Sequence, residues 1–345
     1  KMSNCYDGNK LLALKDKNGR KHEIFMCTSN RSDGKTTYFN RLVLRRFINK
    51  RQKFGLLYRF NYELDGVDEK FFRDIQGLFF KGHEMTAKKR MKGIYQELFL
   101  DGEPCGYAIS INSADQLKRN SHLFSDIENI VFDEFQSEQN HYCDNEVTKF
   151  ISIHNSIARG QGKQSRYVPV YMISNPVTIL NPYYVSMGIS TRLDANVKFL
   201  KGAGWVLEQG YNESAAQATK LSAFNQAFQN DAYIAYSTEA VYLQDDYSFI
   251  ETPKGRGNYV CTIRYANTDF AIWEFSDTGI VFVDYRVDKS FPLRLTVEAE
   301  DHKLNYVMVN NNFILLQKLR YYFEHGAMRF KDLKSKDAIL HALSF

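Results

Sequence analysis

The stretch from Ile24 to Thr37 constrains this chain more than any other. Ile24-Phe25-Met26-Cys27-Thr28 is a short apolar run of the kind that forms a buried strand. The polar loop Ser29-Asn30-Arg31-Ser32-Asp33-Gly34-Lys35-Thr36-Thr37 follows it, and residues 38–48 then carry apolar side chains at helical spacing. Strand, loop, Gly-Lys-Thr and helix is the context of a phosphate-binding P-loop. Backbone N–H groups of such a loop, together with the helix N-terminus, cradle phosphate oxygens. Lys35 would reach the β- and γ-phosphates of ATP, and the Thr36 hydroxyl would ligate Mg²⁺. The pattern wants glycine at its first position, where this chain has Ser29. Gly-Lys-Thr is common by chance, so the rest of the chain has to supply the partners.

With 345 residues, the chain is long enough for two domains with sizeable cores. Its 44% hydrophobic content argues against long disorder. No apolar run reaches membrane-spanning length and no secretory signal is visible at the N-terminus. Five scattered cysteines without metal-ligand spacing suggest reduced thiols in an intracellular setting. A formal net charge of +5 permits a polyanionic partner without demanding one.

Residues 10–15 and 22–28 read as a strand pair around the Lys17-Asn18-Gly19-Arg20 turn. Residues 54–59 read as a buried strand and residues 68–80 as a helix. The basic stretch 81–92, with Lys81, Lys88, Lys89, Arg90 and Lys92, is a solvated loop or helix face, or else a phosphate-backbone contact. Two strands, 95–100 and 107–111, flank a turn. The next informative run is Ile127-Glu128-Asn129-Ile130-Val131-Phe132-Asp133-Glu134. Here an apolar strand ends in two carboxylates, at the sheet end where α/β folds bind ligands. Asp133 would hold Mg²⁺ and Glu134 would polarise a water for attack on the γ-phosphate. This pairing points to the additional-strand class of P-loop ATPases. Residues 146–158 form a helix, with Arg159 at its end in an exposed basic loop. Arg159 either complements the helix dipole or acts as an arginine finger toward a neighbouring subunit. Asn175 ends the strand 168–174. It either senses the γ-phosphate or makes an Asx turn before Pro176.

The loop with Arg31 third, the run Asn129–Phe135, Asn175-Pro176 and Asn181-Pro182-Tyr183-Tyr184 resemble the phi29-like encapsidation ATPases of small tailed phages, relatives of the large terminases. The resemblance covers most of residues 20–210 and, weakly, the remainder. It implies a ring of subunits, a pentamer, at the portal (connector) of an empty capsid, driving double-stranded DNA inside, with a packaging RNA as an open option. It implies action in the host cytoplasm, transiently on the procapsid and not in the mature virion. Lys35 and Thr36 match the Walker A residues, Asp133 and Glu134 the Walker B pair. Asn175 matches the residue after the next strand, and Arg159, with Arg166 as alternative, the arginine given in trans.

The fold expected is therefore α/β: a P-loop ATPase domain over residues 1–211 with a mainly parallel sheet, a helical linker over 212–231, and a smaller α+β domain over 232–345. Strands at 259–265, 270–275 and 280–285 predict an antiparallel meander, followed by a helix at 313–325. By resemblance this second domain is ribonuclease-H-like. Asp269, Asp284, Asp288 and Glu298 do not form an evident carboxylate cluster, so nuclease activity is not expected. The basic residues Arg329, Lys331, Lys334 and Lys336 are a solvated face or a polyanion contact. Two other readings compete with a packaging ATPase: a helicase or replication factor with the same loop, and a non-enzymatic DNA- or portal-binding protein.

Overall fold

The computed structural model describes residues 6–30, 33–119, 121–138, 141–159, 165–177, 181–189, 192–193, 197–210, 250–325 and 327–343. The chain divides into two compact units, 1–177 with 195–241 and 178–194 with 242–345. Residues 178–194 thus belong with the second unit, which a single boundary after 211 does not anticipate. Their short helix, Pro182–Ser186, is capped by the Asn181 side chain, which accepts the Tyr184 N–H at 2.9 Å. The expected linker 212–231 lies outside the described residues.

The first unit is built on strands β1 (Ile24–Thr28), β2 (Lys53–Tyr58), β3 (Met85–Arg90), β4 (Tyr95–Leu100), β5 (Glu103–Ser110), β6 (Ile127–Asp133), β7 (Val170–Ser174), β8 (Phe199–Lys201) and β9 (Trp205–Gln209). They form one sheet in the order β3-β4-β5-β2-β6-β7-β1-β9-β8. From β5 to β9 every neighbouring pair is parallel, and antiparallel strands close both ends. Strand β7 therefore sits between the strand before the Gly-Lys-Thr loop and the strand that ends in Asp133. That inserted strand is the arrangement the additional-strand class predicts.

Helix α2 (Lys35–Lys50), which follows the short helix α1 (Asn9–Ala13), packs on this sheet through Phe39, Val43, Leu44 and Phe47, all buried and on one helical face. Phe39 stacks on Tyr171 of β7 at 5.2 Å between ring centroids, and Tyr171 meets Phe25 of β1 at 5.9 Å. Aromatic stacking thus ties the helix to two central strands. Helix α3 (Val67–Phe79) buries Phe71, Phe72 and Ile75. Helices α4 (Ala114–Lys118) and α5 (Glu146–Ala158) follow, and α5 buries Phe150, Ile153 and Ile157.

Two local readings fail here. Residues 10–13 are helical, not strand, and only a single bridge, Lys15 to Lys21, survives from the expected hairpin. The turn between them is closed by the Asp16 carboxylate, which accepts the Asn18 and Arg20 N–H groups at 2.8 Å, and by backbone bonds from Asp16 N–H to the Arg20 carbonyl and from Gly19 N–H to the Asp16 carbonyl. The basic stretch is neither loop nor helix over 85–90, where it is edge strand β3. Its Lys89 pairs with Asp65 and its Arg90 with Glu97, both at 2.7 Å. Charged side chains on an edge discourage unwanted strand pairing.

The second unit carries a separate sheet: β10 (Asn258–Tyr265), β11 (Thr268–Phe275), β12 (Ile280–Asp284), β13 (Arg294–Thr296), β14 (Val307–Met308) and β15 (Met328–Phe330), in the order β14-β13-β10-β11-β12-β15. β10, β11 and β12 make the expected antiparallel meander, and β13 and β15 add in parallel on either side. The Pro182–Ser186 helix is α6, and helices α7 (Phe313–Glu324) and α8 (Leu333–Leu343) complete this unit. Lys336 is buried, so it does not belong to the solvated basic face expected for it. Lys331 and Lys334 are exposed, and Arg329 pairs with Glu251 at 3.3 Å.

Phe39→Ala should destabilise the first unit by about 3–5 kcal/mol, from lost transfer energy and the cavity left under Tyr171. A urea melt followed by tryptophan-independent far-UV signal reads it. An unshifted first transition would mean that the Phe39–Tyr171 stack does not hold α2 to the sheet.

Candidate active site

The loop after β1 turns at Gly34, the residue before α2, with φ of +90°. Only glycine takes that conformation without strain, so the Gly of Gly-Lys-Thr is required by the backbone. Ser29, Asn30, Asp33 and Lys35 are buried. The Lys35 Nζ donates to the Ser29 carbonyl and Ser29 Oγ, each at 2.9 Å, and to the Asn30 carbonyl at 3.1 Å. Ser29 Oγ in turn donates to Asp33 Oδ2. The serine at the position that wants glycine is thus accommodated and hydrogen-bonded on both sides. Room for it comes from Gly210, just past β9: a Cβ there would stand 3.3 Å from the Ser29 Cβ. Arg31 and Ser32 lie outside the described residues.

Across the sheet, Thr36 Oγ1 donates to Asp133 Oδ2 at 2.8 Å, joining residues 97 positions apart. A hydroxyl and a carboxylate oxygen converging in this way are hard donors of the kind Mg²⁺ takes. Burial raises the Asp133 carboxyl above its usual range, against the opposing pull of the Thr36 hydroxyl, the Glu134 N–H and Lys35. A cation beside it would favour the carboxylate. Glu134 is exposed and has φ of +54°, a left-handed conformation that is costly for a glutamate. Asp133, Glu134, Ser174 and Asn175 join Asp33, Gly34, Lys35, Thr36 and Thr37 around one cleft of about 310 Å³. The described members of the loop, the carboxylate pair and Asn175 are therefore brought together. Arg159 is not: it is exposed, just past the C-terminal end of α5. The alternative, Arg166, is buried and spends its Nη2 on the carbonyls of Ser125, Ile127 and Ile157 at 2.6–3.1 Å. Its guanidinium knits α5 to the sheet and is not available to a neighbouring subunit.

The family model of podovirus DNA encapsidation proteins (Gp16) matches residues 3–343. The chain belongs to this family. A DNA packaging protein of Bacillus phage B103 is 25% identical over 307 residues, which cover 88% of this chain and 90% of that protein. A chain of the bacteriophage phi29 viral genome packaging motor assembly matches 96% of this chain and 96% of its own length, with a TM-score of 0.61 and 23% identity. A chain of the phi28 gp11 DNA packaging motor matches 99% and 98%, with a TM-score of 0.64 and 14% identity. At such identities these two solved structures speak for the fold. It is the mixed α/β fold with a large, mainly parallel sheet.

Two features of this encapsidation-family cleft are not evident in the sequence. Ser174 ends β7 beside Thr28 and faces the cleft with a buried hydroxyl that has no protein partner. A buried hydroxyl of that kind calls for a partner from the cleft. The second is Arg59, one residue past β2. Its Nε donates to Glu146 Oε2 at 2.8 Å, with both side chains buried, and its Nη2 donates to the Phe135 carbonyl at 2.9 Å. Its guanidinium also reaches the Glu134 carbonyl at 3.4 Å. The strained Glu134 backbone is thus held from below by a buried ion pair. In the sequence Arg59 looks like a strand-end surface residue, because only the fold brings Glu146 to it.

Removing one partner, Arg59→Met, should destabilise the first unit by about 3–5 kcal/mol, because it leaves the buried Glu146 carboxylate without this counter-charge. Arg59→Met with Glu146→Leu should recover most of that loss in a double-mutant cycle. Equal destabilisation by the single and double variants would contradict the pairing.

Proposed function

We propose that this chain is the ATPase subunit of a phage motor that hydrolyses Mg-ATP to move double-stranded DNA into a preformed capsid. The observation that carries the reading is the 2.8 Å contact of Thr36 with Asp133, which assembles loop and carboxylates in one cleft. The backbone N–H groups of the Ser29–Thr37 loop cradle the phosphates, and Lys35 reaches the β- and γ-oxygens. Thr36 and Asp133 would hold Mg²⁺, which supplies charge neutralisation at the phosphates. Glu134, at the cleft mouth, takes a proton from the attacking water. Ser174 and Asn175 lie where a hydroxyl and an amide can orient that water or meet the γ-phosphate.

Arg159 acts on the cleft of a neighbouring subunit in a homo-oligomeric ring, a pentamer by family resemblance. Its exposure at the end of α5 supports that role, as does the burial of Arg166. The ring works at the portal, on the procapsid in the host cytoplasm, with a packaging RNA as a further possible element of the assembly by family resemblance. DNA is gripped through its backbone, without reading sequence. The exposed Lys88, Lys89 and Arg90 of the β3 edge are candidates for that contact.

The second unit serves docking and not cleavage. Asp269 is engaged by Arg264 at 2.9 Å and by the Tyr306 hydroxyl at 3.1 Å. Asp284 is engaged by Trp273 Nε1 at 2.9 Å and by Arg286, and Asp288 caps Ser290.

Glu134→Gln should lower kcat by about 10²–10⁴-fold while MgATP binding persists. Unchanged turnover of the purified protein would remove Glu134 from the chemistry. Mixing Arg159→Ala with Glu134→Gln subunits should restore turnover at interfaces that pair an intact Glu134 with an intact Arg159. No rescue at any ratio would mean that Arg159 does not act in trans.

A further inference from the structure

We propose that Ser29 and Asp33 compete with phosphate for the Lys35 ammonium and so set how tightly this loop takes nucleotide. The inference rests on the nucleotide-loop reading above. A lysine ammonium has three N–H donors. Here three acceptors of the same loop take them: Ser29 O, Ser29 Oγ and Asn30 O, at 2.9, 2.9 and 3.1 Å. To bond a β- or γ-phosphate oxygen, Lys35 must release or share at least one of them.

The acceptor that a glycine could not provide is Ser29 Oγ. Its own proton is directed at Asp33 Oδ2, and donating to a carboxylate makes the oxygen a better acceptor for the ammonium. Ser29 is 1% exposed, Asp33 6% and Lys35 6%, so little water intervenes and these bonds act at low local dielectric. The Asp33 carboxylate also lines the cleft, where it repels a polyphosphate. Its placement is maintained from outside the loop: the Tyr6 N–H donates to the Asp33 carbonyl at 2.9 Å, and the Tyr6 hydroxyl donates to Glu208 of β9 at 2.8 Å. Gly210 backs the Ser29 side chain. A serine that merely filled space would not need this chain of partners.

Ser29 and Asp33 are positioning residues in this scheme, since they act on phosphate through Lys35. The test is equilibrium binding of MgATP to the purified full chain, with thermal unfolding as a check on folding. Ser29→Ala keeps the Cβ against Gly210 and removes the hydroxyl. It should tighten MgATP binding by about three- to tenfold, the net worth of one such hydrogen bond. Asp33→Asn should shift the affinity the same way. A merely structural serine would give weaker binding or neither shift.

Unchanged or weaker MgATP binding in folded Ser29→Ala overturns the proposal, because the hydroxyl would then be neutral or itself a phosphate ligand. Should Ser29→Ala unfold, Asp33→Asn decides alone: tighter binding supports the competition and unchanged or weaker binding overturns it. The parent reading is separated by Lys35→Ala. If the unsubstituted chain binds no more MgATP than Lys35→Ala does, the nucleotide loop itself is refuted, and the competition with it. Lys35-dependent binding without a Ser29 effect refutes the competition only.

Discussion

Strand β7 pairs in parallel with β1 on one side and β6 on the other, and the site depends on that double pairing. Parallel pairing makes all three strands end at the same edge of the sheet, as ligand-binding α/β sheets do. The register is tight: Thr28 lies beside Ser174, and Asp133 beside Ile173. A slip of one residue in β7 would invert every side chain on that strand, turning Tyr171 away from α2 and the Ser174 hydroxyl away from the cleft.

Around that frame, the active edge carries conformations that a free peptide would avoid. Gly34 takes its left-handed turn at little cost, but Glu134 does not. Its backbone is held by the Asp133 carboxylate, which accepts its N–H at 2.9 Å, and by the Arg59 guanidinium on its carbonyl side. Burying the Arg59–Glu146 pair carries a desolvation penalty that the ion pair by itself does not clearly offset. Its geometry instead fixes where Glu134 points. Glu146 also begins α5, and Arg159 follows the end of the same helix, so one helix connects the support of the Glu134 backbone with the exposed arginine.

The second unit is organised differently. Its meander places Arg264 among Asp269, Asn267 and Asp301, so that a guanidinium occupies the centre of an acidic group. Charges arranged this way satisfy one another and hold loops together. The family match extends through this unit, to residue 343.

Much of this architecture was legible in the sequence. The strands β1, β2, β6 and β7 are short apolar runs with few alternatives, and helices α3, α5 and α7 have clear 3.6-residue periodicity. Residues 10–13 were misread because Leu-Leu-Ala-Leu suits either element at so short a length. Strand β3 was missed because its lysines look like a solvated face, and it is a strand only through pairing with β4. By itself, the sequence determined the chemistry available: a glycine where the backbone turns left-handed, a lysine and threonine after it, and two carboxylates at the end of an apolar strand. Local spacing and side-chain type are enough for that. Only the tertiary structure decided which of these groups meet. It brought Thr36 to Asp133 and Arg59 to Glu146, set the buried Ser174 hydroxyl in the cleft wall, and withdrew Arg166 into the interior. Each of these depends on contacts between residues far apart in the chain, which parallel pairing and burial create and which no local pattern records.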